Sequence, residues 1–216
     1  KTTILNLITG FYIPENGKIF FKSNDITNLP TYKRVNLGIA RTFQNLRLFK
    51  SMSIFENVLS ASFVKNEYDL LSCVIRSKKF QQKKLKAEEK TRKLLEFFSL
   101  DKKESYPATS LPYGDQRKLE IARALALEPE LLLVDEPAAG MNPTEVSELI
   151  DIFYKIQETF KTTIIIIEHH MDFVMNISKR IVVVDFGEKI MEGTPEEVKT
   201  DKRVIEAYLG EEFFCA

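Results

Sequence analysis

Four short stretches of the chain have residue types and spacings suited to handling phosphate and water. Leu131-Leu132-Leu133-Val134-Asp135-Glu136 is an apolar run ending in two carboxylates, the pattern of a buried parallel strand beneath an acidic edge. Ligands of open α/β sheets sit at such strand ends. There an Asp such as Asp135 can hold Mg²⁺ or its water, and an adjacent Glu such as Glu136 can orient or deprotonate an attacking water. Alone, the pair is equally the solvated end of a strand. Lys1-Thr2-Thr3, opening an apolar-patterned helix, is what remains of a G-x-x-x-x-G-K-[ST] loop once its glycine-rich half is removed. In an intact loop the backbone N–H groups wrap the phosphates, the lysine reaches them and the first hydroxyl meets Mg²⁺, which assigns those roles to Lys1 and Thr2. Alone, the triplet is an ordinary helix start. Leu111-Pro112-Tyr113-Gly114-Asp115-Gln116-Arg117 stands about twenty residues before the carboxylates, and Ile167-Glu168-His169, at the end of another apolar run, about thirty after.

Bringing these stretches together takes a sheet with covering helices, and the chain has the material. Its 216 residues are 44% hydrophobic and 29% charged, enough for a core of ordinary size and contrary to disorder as a global description. One domain, or one domain with a sizeable insertion, fits that length. Lys1 to Ile8 has apolar residues at 4, 5, 7 and 8 and stops at Gly10, predicting a short helix. Strands are predicted over Gly17–Phe21 and Ile39–Phe43. From Gln44 to Pro107 the strand signal fades, and Leu85–Leu100 has helical spacing with Leu94, Leu95, Phe97 and Phe98 on its apolar side. A helix over Asp115–Leu127, a strand Leu131–Val134, a helix Pro143–Phe160 and a strand Thr162–Ile167 then read as βα repeats of a parallel sheet. The second of these helices has Asn142 as N-cap, Pro143 first and Glu145 third. Arg180–Met191 reads as strand, turn and strand, and Pro195–Leu209 as a helical tail.

Lys and Arg number 31 and Asp and Glu 31, and that zero balance argues against a chain that coats nucleic acid. One local exception is Arg76–Lys93, with nine Lys or Arg against two Glu: a solvated helix face, or a phosphate-binding surface. The longest aliphatic run, Ile164–Ile167, is far shorter than the roughly 20 apolar residues of a membrane helix. Cys73 and Cys215 lie far apart without metal-binding company, which suggests neither disulfide nor zinc and points to a reducing cytosol. The first residue is Lys1 and no signal segment follows, so the chain reads as a fragment.

In their order along the chain these stretches resemble the ATP-binding subunit of an ABC transporter. Gln44, in Arg41-Thr42-Phe43-Gln44, falls where that family has its Q-loop; Leu111–Asp115 matches the signature motif, Ala139-Gly140-Met141-Asn142 the D-loop, and His169 the switch histidine. The resemblance implies an α/β fold: a P-loop NTPase (RecA-like) core with a parallel sheet, over 1–44 and 107–216, plus an inserted α-helical subdomain over 45–106, with the signature at 111–116. It also implies ATP and Mg²⁺ as cofactors. Glu136, His169 and Gln44 would be catalytic; Lys1, Thr2, Thr3, Tyr113, Gly114, Asp115 and Asp135 would bind nucleotide; Thr2, Gln44 and Asp135 would hold the metal. His170 is read as merely exposed, since neighbouring strand residues point to opposite faces. The family has a small residue where Pro112 stands and Gln or Glu where Asp115 stands, so this motif's contacts are expected to be weaker.

Arg41–Phe49, Tyr113–Arg117, Asp135–Pro143 and Ala207–Glu211 look more narrowly like the branched-chain amino acid importers. The lipopolysaccharide-export ATPase shares the Tyr208-Leu209-Gly210-Glu211 ending but matches the other phrases less well. The implied partners are a second ATP-binding subunit, identical or not, two transmembrane permease subunits and, indirectly, a periplasmic or extracellular solute-binding protein, with no nucleic acid. The implied place is peripheral, on the cytoplasmic face of the membrane. Leu46, Leu48, Phe49, Met52, Ile54 and Phe55 would offer the permeases an apolar surface, or else form subdomain core. Two other readings remain: a soluble ABC-type ATPase touching nucleic acid or ribosomes through Arg76–Lys93, and a non-catalytic interaction module. Residues 1–216 as written, lacking the glycine arc before Lys1, are expected to bind ATP poorly and to be inactive.

Overall fold

The computed structural model describes residues 1–65 and 77–209; expectations placed on Cys73, Arg76, Gly210, Glu211 and Cys215 lie outside the described residues. Helix α1 (Thr2–Thr9) ends at Gly10, whose φ of 80° is the left-handed conformation glycine adopts freely. A Cβ there would also lie 2.8 Å from Arg34 Nε, so the position excludes side chains twice over. Strands β1 (Phe20–Phe21) and β2 (Asn24–Asp25) form a tight antiparallel hairpin. The strand expected over Gly17–Phe21 keeps its end, where Lys22 and Ser23 turn the chain in left-handed geometry, but loses its first three residues, and the Ile19 N–H goes to the Thr27 hydroxyl. Helix α2 (Thr31–Asn36), not expected, precedes β3 (Ile39–Arg41).

Helices α3 (Ile54–Lys65) and α4 (Lys78–Phe97) follow. The stretch that holds them is closed at its neck: Ser53 bridges Pro107, Ile54 N–H donates to Tyr106 O at 2.9 Å and Ala108 N–H to Met52 O at 3.3 Å. Helix α5 (Tyr113–Leu125) starts two residues before the predicted Asp115, because the extended Pro112 already serves as its N-cap. Strand β4 (Leu131–Asp135) and helix α6 (Pro143–Phe160) fall where the pattern put them. Asn142 and Glu145 close a reciprocal capping box at the start of α6. Strand β5 (Thr163–Ile167), the unexpected helix α7 (Met171–Ile177), the antiparallel pair β6 (Ile181–Asp185) and β7 (Glu188–Gly193), and helices α8 (Pro195–Thr200) and α9 (Lys202–Val204) complete the order. The single tail helix expected over Pro195–Leu209 is broken at Asp201, whose backbone is extended and whose side chain caps α9.

The central sheet runs β3-β4-β5, all parallel. All five residues of β4 are buried, and its side chains alternate between two cores. Leu131 and Leu133 join Leu5 of α1 and Ile39 on one face. Leu132 and Val134 join α5 (Leu119, Ile121, Leu125), α6 (Leu149, Phe153, Ile156), α3 (Ile54, Val58) and α4 (Leu95) on the other. Burying such a side chain stabilises by about 1.5–3 kcal/mol, so β4 anchors three layers. Ile54 is fully buried, which removes it from the expected docking surface; Phe49 and Met52 remain exposed. Four of the eight cations of α4 pair with nearby glutamates, Lys84 with Glu88, Lys93 with Glu89, Arg92 with Glu104 and Lys90 with Glu128, as on a solvated face.

Candidate active site

Strand β4 ends at Asp135, and the next residue, Glu136, turns the chain at φ 46°. Its own N–H donates to Ile167 O at 2.8 Å, lacing the ends of β4 and β5 together. That turn swings the Glu136 carboxylate out of the core. Gln44 Nε2 donates to Glu136 Oε2 at 2.6 Å, and His169 Nε2 lies 2.5 Å from Glu136 Oε1. Three residues separated by 92 and 33 positions therefore meet on one carboxylate. A carboxylate held by an amide and an imidazole at a strand end can orient a water and accept its proton. Both His169 and His170 are exposed, but beyond the end of β5; His170 is the N-cap of α7, so strand alternation is not the reason.

Of the two readings open for the carboxylate pair, the solvated strand end does not hold for Asp135. It is 1% exposed, and its Oδ2 accepts from Arg41 Nη2 at 2.9 Å. Arg41 in turn donates to Asn6 Oδ1 of α1 at 2.6 Å and stacks over Phe43. Asp135 Oδ1 is buried with no hydrogen-bond partner among the described residues. It lines a cavity of about 340 Å³ together with Thr2, Arg41, Phe43, Gln44 and Arg47. A buried carboxylate oxygen without a partner, on a residue that lines a cavity with a threonine and a glutamine, belongs to the hard-oxygen donors that Mg²⁺ takes, so these residue types fit that ion. Of the first three residues of the chain only Thr2 lines the cavity; Lys1, at the N-cap of α1, and Thr3 are exposed.

Tyr113, Gly114 and Asp115 lie elsewhere, on the first turn of α5. Gly114 is buried, and a Cβ on it would sit 3.1 Å from Glu145 Oε1 at the start of α6. Tyr113 is half-exposed beside Gly140, and Asp115 pairs with Lys103 and Lys118. What links this group to the first is a buried ion pair that sequence reasoning missed. Arg117 donates to Phe43 O at 2.8 Å, to Gln44 O, to Tyr113 Oη at 2.9 Å and to Glu120 Oε2 at 3.1 Å. Glu120 Oε1 accepts the N–H groups of Phe43 and Arg47. Burial pushes the Glu120 carboxyl above its ordinary range against the pull of Arg117. The signal was present: Arg117 and Glu120 fall on the buried stripe of α5 with Gly114, Ile121 and Leu125, where apolar residues belong.

The ABC transporter family pattern matches residues 1–139, and the pattern of the branched-chain amino acid ATP-binding cassette transporter matches residues 188–213. The chain is 41% identical over 211 residues to the high-affinity branched-chain amino acid transport ATP-binding protein LivG of Escherichia coli K12, covering 98% of this chain and 83% of that one. It is 40% identical over 211 residues to BraF of Pseudomonas aeruginosa, with the same shares covered. The ADP conformation of MJ1267, an ATP-binding cassette of an ABC transporter, superposes with a TM-score of 0.80 at 31% identity, over 98% of this chain and 84% of that one.

Proposed function

The chain belongs to the ABC transporter family as an ATP-hydrolysing cassette of branched-chain amino acid transport, and we propose how its residues divide that work. Glu136 orients the attacking water and takes its proton. Gln44 holds Glu136 from the side of the cavity, and His169 holds it from the side of β5 and donates toward the γ-phosphate. Lys1, Thr2 and Thr3 meet the phosphates of ATP. Thr2, Gln44 and Asp135 would hold Mg²⁺, which when bound offsets phosphate charge. Arg41 holds the Asp135 carboxylate in place inside the protein.

A second cassette, identical or not, supplies the opposing half: Tyr113, Gly114 and Asp115 of one face the phosphates bound by the other. The start of α5 can aim its positive end there even though Pro112 offers no N–H. Residues 1–44 and 107–216 act as the nucleotide core and 45–106 as the helical arm that passes closure to two transmembrane permease subunits. A periplasmic or extracellular solute-binding protein delivers the solute to them. The cassette sits peripherally on the cytoplasmic face; no helix among the described residues is long and apolar enough to cross a membrane.

The observation that carries this reading is the convergence of Gln44 and His169 on Glu136. Deleting the chain from its cell is expected to abolish uptake of radiolabelled leucine, isoleucine and valine and to spare that of lysine. Retained leucine uptake, with a defect in lipopolysaccharide export or ribosome function instead, would overturn it.

A further inference from the structure

We propose that Glu168 is a positioning residue, whose buried carboxylate ties the loop carrying His169 to the turn after Glu136 and so sets the meeting of those two side chains. Glu168 Oε1 accepts the N–H of Ala138 at 2.8 Å. Its Oε2 accepts the N–H of His169 at 2.9 Å and that of His170 at 3.4 Å. The residue is 9% exposed, and no Lys or Arg is paired with it among the described residues. Three backbone donors from two separate turns therefore take the place of a counter-ion.

The ends of β4 and β5 are joined three times. The first link is the backbone bond from Glu136 N–H to Ile167 O, and the second is the Glu168 strap. The third is the Glu136–His169 contact itself, 2.5 Å long and the one side-chain hydrogen bond of a half-exposed imidazole among the described residues. Release of the strap frees His169 and His170 to swing about the end of β5. Displacement of a catalytic group by about 1 Å costs on the order of 10²-fold in rate. A glutamine in place of Glu168 offers one acceptor oxygen and one donor, so whichever way the amide turns it can serve Ala138 or the histidine loop but not both.

This proposal rests on the hydrolytic roles given to Glu136 and His169, and its test separates the two. ATP turnover and KM are measured for the chain carrying a complete phosphate loop upstream of Lys1, as wild type, H169A, E168Q, E168A and E168Q/H169A. E168Q should lower kcat by about 10- to 10²-fold and leave KM within about threefold. E168Q/H169A should be no slower than H169A, because without the imidazole there is nothing left to position. Multiplied losses in the double variant, with H169A itself impaired, overturn this proposal alone. An E168Q kcat equal to wild type also overturns it, and E168Q is close enough in shape to fold where E168A does not. An H169A enzyme as fast as wild type overturns the hydrolytic assignment and this proposal with it.

Discussion

At Glu136 the backbone and the side chain serve different ends. A non-glycine residue at φ 46° is strained by about 1–2 kcal/mol, and the turn it makes is what lifts the carboxylate from the core to Gln44 and His169. Glu136→Gln keeps the shape and can still accept from Gln44, but it cannot take a proton. In the chain completed upstream of Lys1, this change should leave ATP affinity near wild type by titration and reduce turnover by about 10²–10⁴-fold. Unreduced turnover would mean that the base is another group. Asp135 and Glu136 could be picked out because they close an apolar run, Gln44 and His169 only by their place in the family's order of motifs. Arg41 and Glu168 could not: their partners, Asp135 and the N–H of Ala138, are chosen by strand pairing that no local spacing records.

Elements with strong chemical punctuation were legible to the residue. Asn142, Pro143 and Glu145 fixed the start of α6, and Gly10 fixed the end of α1. Helices α2 and α7 span six and seven residues, too few turns for an apolar period to emerge. The fixing of α1 was hidden for another reason. Arg34 is 1% exposed and has no acid partner among the described residues; it donates to Leu7 O, Ile8 O, Thr27 O and Leu29 O at 2.6 to 2.9 Å, capping the last turn of α1 with a side chain from α2. Burial pulls its pKa below the ordinary arginine value, yet four carbonyl acceptors favour the charged form. Arg34→Ala should destabilise the fold by at least about 3 kcal/mol in urea unfolding, since it leaves several carbonyls unmatched. Arg34→Lys should recover less than half, because an ammonium lacks the planar fork. A loss under about 1 kcal/mol would show that water takes over these carbonyls without cost.

In the whole molecule, Arg117 links Gln44 of the Gln44–Glu136–His169 group to Tyr113 of the Tyr113–Gly114–Asp115 group, and in the proposed arrangement the two groups are separate half-sites. With ATP, the Glu136→Gln chain completed upstream of Lys1 should therefore elute at twice the mass of one copy and return to one copy when ATP is removed. A species of single mass at saturating ATP would sink the pairing of identical copies. The lysine-rich face of α4 has one more consequence. The helix holds eight Lys or Arg against three Glu in a chain whose net charge is zero, so the rest of the surface carries the matching negative excess. Charge is thus uneven along the chain although its sum is zero. A neutral body feels no net pull from a charged partner, but uneven charge is turned by one within the roughly 8 Å that physiological salt leaves unscreened, so orientation rather than attraction is what this helix can offer.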